Sequence, residues 1–252
     1  MGVTTLVLGN CGSSRLNLGE YFRELEATNI SPNVCSLIGH NTVRRQAMGG
    51  SFLRPPTDAE LSTMKSHVEQ GMKDGAVGLA TGLIYLPGTF SKTEEIVELA
   101  KVAGAHGGIY ASHMRSEGEN IFKALDELFR IAREGGTRGH ISHIKLSGKS
   151  YWGQTAKVIA AIEGARASGL DITQDQYVYP ASSTGLSQLI PDSAREGGAD
   201  KFRERISDPA QKADIAKRMK ESLRKQGRDD YSYAVIASYS KDKSLNGMNV
   251  VE

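Results

Sequence analysis

The sequence predicts an α/β fold of the parallel-barrel kind. It reads as a (β/α)8 TIM-barrel-type chain with about six core strands present and a helical region at its C-terminal end. Three observations carry this. Short apolar runs recur at a near-constant step, beginning at Val3, Val34, Ala76, Gly108, His140 and Leu170, with steps of 31, 42, 32, 32 and 30 residues. Helical patterns lie between them, and strand–helix–strand at this period is the βαβ unit, whose crossovers wind in one direction. The glycines, 28 of 252 residues, collect at the joints.

The runs Val3–Leu8, Val34–Ile38, Ala76–Ala80, Gly108–Ser112, His140–Lys145 and Leu170–Gln174 are mostly apolar rather than alternating. That is how strands covered on both faces read. Thr57 or Asp58 is placed to cap a helix running to Gly71, with Glu60 as capping-box partner and Leu61, Met64, Val68 and Met72 as its apolar stripe. Helices are predicted likewise over Thr93–Ala105, Glu119–Arg133 and Tyr151–Ser168. An open doubly wound sheet would need a phosphate turn such as G-x-G-x-x-G after its first strand. Gly9-Asn10-Cys11-Gly12 is not one. Beyond Pro191 the sequence turns to dense mixed charge, the pattern of solvated surface helices. We therefore expect a barrel segment over residues 1–190 and a charged helical region over 191–252. Tyr231–Ala237 is one further β-like run without a clear place.

Composition narrows the class. Net charge is +2 with both signs dispersed, which supports neither a nucleic-acid nor a membrane-surface partner. No apolar run approaches the roughly 18 residues that span a bilayer. The start lacks a basic stretch before an apolar one, so no secretory signal is expected. Two cysteines fit a reducing, cytoplasmic setting.

In a βα barrel, chemistry gathers at the carboxyl ends of the strands. Those ends read Gly9-Asn10-Cys11-Gly12, Gly39-His40-Asn41, Ser112-His113-Met114-Arg115, Ser142-His143-Ile144-Lys145 and Asp175-Gln176-Tyr177. Cys11, His113 and His143 end strands of one ring and offer a thiolate and two imidazoles, a donor set suited to zinc. The 30-residue gap between the histidines is one βα step, placing them on neighbouring strands. His140 should face the helices, His40 should join a hydrogen-bond network with Asn41, and His67 and His106 read as structural or exposed. S-x-x-K occurs at Ser62/Lys65 and Ser142/Lys145 without the K-T-G and S-D-N elements of the serine enzymes that use it.

Beyond these single residues, Gly2-Val3-Thr4-Thr5 through Gly12, Gly39-His40-Asn41-Thr42-Val43-Arg44 and Gly75-Ala76-Val77-Gly78-Leu79 with Gly82–Gly88 stand in a recognisable order. So do Ser112–Glu117, Ile141–Lys145, Tyr151-Trp152-Gly153 and Asp175–Tyr179. Together, over residues 2–190, they resemble the N-acyl-D-amino-acid deacylases (D-aminoacylases) of the amidohydrolase superfamily. The resemblance implies a metal-dependent (β/α)8 barrel that hydrolyses the amide of a small-molecule substrate, an N-acyl-D-amino acid, with Zn2+ as cofactor. It implies Cys11, His113 and His143 as metal ligands, and Lys145, Tyr177 and Ser183 around the substrate carboxylate. Tyr85 is implied for the pocket wall, and Arg115 is a further substrate-binding candidate.

The family's His-x-His pair lies well before its G-N-C-G turn, and its general-base Asp lies on the eighth strand. The expectation is that this chain corresponds to the middle of a deacylase, with the base beyond the C-terminus and turnover by the chain alone poor. Other readings are a hydantoinase- or dihydroorotase-like amidohydrolase and a non-catalytic barrel remnant. The former usually recruits a lysine after strand four, where Ala80-Thr81-Gly82 stands here.

Overall fold

The computed structural model describes residues 2–50 and 52–252. Among them are seven strands: β1 (Thr5–Leu8), β2 (Asn33–Ser36), β3 (Ile38–Gly39), β4 (Gly78–Gly82), β5 (Ile109–His113), β6 (Arg138–Ile141) and β7 (Ile172–Gln174). All pair in parallel and in sequence order, β1 with β2 and then β3 through β7 without reversal. The second predicted run is one extended stretch broken at Leu37. Leu37 N–H donates to Leu8 C=O at 2.8 Å, and Ser36 C=O accepts from Val77 N–H at 2.9 Å, so the stretch carries bonds to both neighbours. The result is six strand positions wound one way, the barrel order rather than the doubly wound one.

Three of the strands that start or end away from the predicted residues show a local reason for it. Ala76 N–H still bonds back to Gly71 in the preceding helix, which delays β4 to Gly78. Leu170 N–H is likewise bonded to Ala165, delaying β7. β6 stops at Ile141 because His143 turns to a left-handed backbone with φ of 38°.

The helices are α1 (Leu18–Ala27), α2 (His40–Met48), α3 (Asp58–Lys73), α4 (Thr93–Ala105), α5 (Ile121–Gly135), α6 (Thr155–Ala167), α7 (Asp192–Arg195), α8 (Gly198–Ser207) and α9 (Pro209–Lys225). The predicted capping box opens α3: Thr57 Oγ1 accepts from Glu60 N–H at 3.2 Å, and a Glu60 carboxylate oxygen accepts from Thr57 N–H at 2.7 Å. On α5, Leu125, Leu128, Phe129 and Ala132 form the i, i+3, i+4, i+7 stripe of a helix packed on a sheet. α1 and α2 lie where no helix was predicted.

The two faces of the sheet differ. A side chain at Gly139 would meet Ile172, Leu128 and Ala132, so odd-numbered positions of β6 face the helices. His140 therefore faces the opposite way, in the row of Ala80, Ala111 and Thr173. This corrects the sequence expectation for that histidine. Its Nδ1 and Nε2 meet Thr173 Oγ1 at 2.8 Å and Asp175 Oδ2 at 2.9 Å. Alternation alone gives two equivalent faces, and only the helix packing shows which is which.

Between α2 and α4, Glu95 lies buried against His40 Nε2 at 2.8 Å and Arg44 Nε at 2.9 Å. Arg44 is fully buried and also donates to Phe52 C=O and Arg54 C=O. Burial opposes ionisation of Glu95, but the partners His40 and Arg44 outweigh it and hold its carboxyl below the usual range.

The chain packs as two units. One runs to Lys145 and resumes over Thr155–Tyr177; the other comprises Leu146–Gln154 and Val178–Glu252. The packing boundary thus falls before the compositional one at residues 190/191, because Val178 onward has left the strand register. The second unit holds α7, α8 and α9. Around Tyr231–Ala237 it has a single antiparallel bridge, Val235 to Asn249, in place of a strand. No helix among the described residues is long and apolar enough to cross a membrane.

Candidate metal centre

Cys11 sits in the tight turn Asn10–Gly12 that follows β1, with φ of 56°. A non-glycine residue in this region pays a conformational cost, which such sites commonly carry. The turn lies directly on the end of β4. A side-chain carbon at Gly82 would fall 2.1 Å from Cys11 O, and one at Gly12 2.5 Å from Gly82 N. Asn10 ties the turn across the sheet, its Oδ1 accepting from Cys11 N–H at 2.9 Å and from Ser142 Oγ at 3.0 Å.

His113 is the last residue of β5 and is buried. Its ring lies 5.0 Å from that of Tyr85 and edge-on to that of His143 at 4.4 Å. Burial pushes its pKa down to about 4, so the imidazole is neutral. Neither ring nitrogen has a hydrogen-bond partner among the described residues. Leaving buried polar atoms unpaired is costly, and a cation at one nitrogen would remove part of that cost.

His143, two residues past β6, directs Nε2 at Cys11 Sγ, 3.4 Å away. Its backbone N–H donates to Asp175 Oδ1 in a short hydrogen bond. Its Nδ1 lies 3.1 Å from Glu117 Oε1. The contact with Cys11, and next that with Glu117, raises its pKa to about 9. Glu117 also pairs with Lys145 Nζ. Burial opposes its ionisation, yet the hydrogen bonds from His143 and Lys145 prevail and keep it below the usual carboxyl range.

The ligand atoms of Cys11, His113 and His143 all lie within 4.8 Å of one another, the one such group of metal-ligating side chains among the described residues. One thiol and two imidazoles on three rigid strand ends form a set that a zinc-type ion would complete, with room for a further ligand. The unpaired nitrogens of His113 agree with that fit.

The remaining sequence candidates fall in different places. Lys145 Nζ donates to His143 C=O at 2.7 Å and stands 5.3 Å over the ring of Tyr177. The Tyr177 ring is 6.2 Å from that of His143. Tyr85 flanks His113, as above. Arg115 is engaged in the fold: it donates to both Glu127 oxygens at 3.0 Å, to Thr89 C=O at 2.9 Å and to Ser91 C=O at 3.0 Å. Ser183 is an exposed residue of the second unit. Two contributors escaped sequence reasoning, Glu117 as partner of His143 and Asn10 as the tie across the turn. For Glu117 the available signal was a carboxylate four residues after a candidate ligand histidine.

Parallel βα units that bring a thiol and two imidazoles together at their strand ends form the frame of a barrel with a metal-type site. No protein-family model matches the chain. It is 39% identical over 210 residues to the D-aminoacylase of Alcaligenes xylosoxydans xylosoxydans, covering 74% of this chain and 43% of that protein. It is 35% identical to the N-acyl-D-glutamate deacylase of the same organism, over 77% of this chain and 43% of the relative. The crystal structure of the Bordetella bronchiseptica N-acyl-D-glutamate deacylase, complexed with zinc and a phosphonate mimic of the tetrahedral intermediate, matches with a TM-score of 0.70. That match has 32% identity and covers 77% of this chain and 44% of the solved one. The chain belongs to the N-acyl-D-amino-acid deacylase (D-aminoacylase) family, and it spans less than half the length of these relatives.

Proposed function

We propose that the protein of which these residues form part hydrolyses the amide bond of N-acyl-D-amino acids with zinc held by Cys11, His113 and His143. The convergence of those three ligand atoms within 4.8 Å carries the reading. Zinc held there would supply Lewis acidity toward an amide carbonyl and would make a water acidic enough to serve near neutral pH. The chain's own residues supply placement. Tyr85 walls the His113 side, and Tyr177 walls the His143 side. Lys145 gives two of its N–H donors to Glu117 and His143 C=O. Its ammonium, paired with Glu117, also stands 5.3 Å from the Tyr177 ring, the side on which an amino-acid carboxylate would be the matching group.

The carboxylates beside the cluster are already engaged, Asp175 with His140 and the His143 N–H, and Glu117 with His143 and Lys145. Neither is placed as a general base, whose loss commonly costs 10²–10⁴-fold in rate. Binding therefore tests the substrate class more directly than turnover. The zinc-loaded chain, titrated calorimetrically with N-acetyl-D- and N-acetyl-L-amino acids, should bind the D form preferentially and lose that binding on chelation. Equal affinity for both enantiomers, or none in the loaded chain, would contradict the reading. Two unpaired cysteines support a cytoplasmic setting.

A further inference from the structure

We propose that Glu117 is the positioning residue that fixes which ring nitrogen of His143 faces the metal, an assignment that rests on the zinc reading above. Nε2 of His143 points at Cys11 Sγ, and Nδ1 has two competing neighbours, Glu117 Oε1 at 3.1 Å and Lys145 Nζ at 2.9 Å. The two neighbours ask for opposite tautomers. A carboxylate accepts, so when a metal displaces the Nε2 proton it favours keeping hydrogen on Nδ1 and gives the Nε2 lone pair to the cluster. An ammonium only donates, so it favours a bare Nδ1 and puts the hydrogen on Nε2, where it blocks ligation.

The structure resolves this competition through Glu117. Its carboxylate accepts a hydrogen bond from Lys145 as well as facing Nδ1, and Lys145 donates a second hydrogen bond to His143 C=O. Glu117 thus holds the ammonium and claims Nδ1 at once. It comes from the loop after β5, whereas His143 follows β6, so the contact also ties together the strand ends that carry His113 and His143. Partners of this kind commonly contribute 10–100-fold to metal affinity.

The test compares the wild-type chain with Glu117→Gln and Glu117→Ala, using Zn2+ competition against a chromophoric chelator and the visible absorption of the Co2+ form. Thermal melts of the metal-free proteins run alongside. The glutamine keeps an oxygen acceptor for Nδ1–H but loses the charge that holds Lys145; alanine loses both. The expected order of Zn2+ affinity is wild type, then Gln weaker by about tenfold, then Ala weaker by up to about 100-fold. The Co2+ spectrum should change in the alanine variant, as a ligand nitrogen is lost or displaced. A merely structural role would lower the metal-free melting temperature while leaving affinity and spectrum unchanged in the folded protein, and that result overturns the assignment. If the wild-type chain takes up neither ion, the zinc reading fails and the assignment with it. If the wild type binds and Glu117→Ala binds equally well, the assignment alone fails.

Discussion

Cys11 Sγ and His143 Nε2 lie 3.4 Å apart although 132 residues separate them, and both residues hold left-handed backbones, with φ of 56° and 38°. A third such residue, Asn29, is of a type that tolerates the region. Histidine also tolerates the region, so the strain falls on Cys11, whose turn aims its side chain at His143; strain of that kind gathers at functional sites. The two turns are held from outside, by Ser142 (through Asn10) and Gly82 on the Cys11 side and by Asp175 on the His143 side.

Cys11→Ser should leave the fold intact, since the residue is only partly buried and the replacement is close to it in size. A hydroxyl is a poorer and normally protonated ligand. Zn2+ affinity measured by chelator competition is therefore expected to fall by more than the roughly 100-fold upper range for partner residues. Unchanged affinity would remove the thiol from the site.

Gly82→Ala should damage the same site without touching a ligand. The new methyl would stand 2.1 Å from Cys11 O, backbone that cannot yield without moving the turn. Overpacking of this kind costs about 1–3 kcal/mol. The expectation is a loss of stability in urea together with a loss of Zn2+ binding. Retained binding would show that the turn is not held by β4.

Arg115→Ala separates an anchoring role from a substrate-binding one. The guanidinium links α5, through Glu127, to the carbonyls of Thr89 and Ser91. Hydrogen bonds to charged groups are worth about 1.5–3 kcal/mol each, so urea unfolding should shift by an amount of that order while Zn2+ affinity holds. Unchanged stability combined with a specific loss of N-acetyl-D-amino-acid binding would return Arg115 to the substrate.

The buried Glu95 makes stability depend on acid. Its folded pKa lies below the unfolded one because His40 and Arg44 outweigh burial. Its contribution is thus fully present above the unfolded carboxyl value of about 4.3 and is lost as pH falls through the lower, folded value. Urea unfolding followed from pH 6 downward should show that loss. Glu95→Gln should flatten the dependence, and Glu95→Ala should cost about 3–5 kcal/mol by leaving Arg44 buried and unpaired. An acid profile identical in wild type and Glu95→Gln would contradict this account.

The period of the apolar runs and the capping box of α3 were legible because they depend on local chemistry, such as Thr57 with Glu60. Cys11, His113 and His143 could be picked out as candidate ligands because barrel geometry brings strand ends together whatever the loops do. Less could be read where backbone bonding, not side-chain pattern, decides. Ala76 reads as strand but is bonded into the end of α3, and Leu37 interrupts a run that looks continuous. The turns at Cys11 and His143 left no trace in composition, since neither position carries the glycine that a left-handed residue usually brings. Glu117 needed three dimensions, because its partner lies one strand away.

The most direct test of the account is the coordination of zinc in the loaded 252-residue chain, measured by X-ray absorption at the zinc edge. The account predicts one sulfur scatterer at about 2.3 Å and two imidazole nitrogens at about 2.0–2.1 Å, with the sulfur shell absent in Cys11→Ser. A shell of light atoms only in the wild type, unchanged by Cys11→Ser, would contradict it.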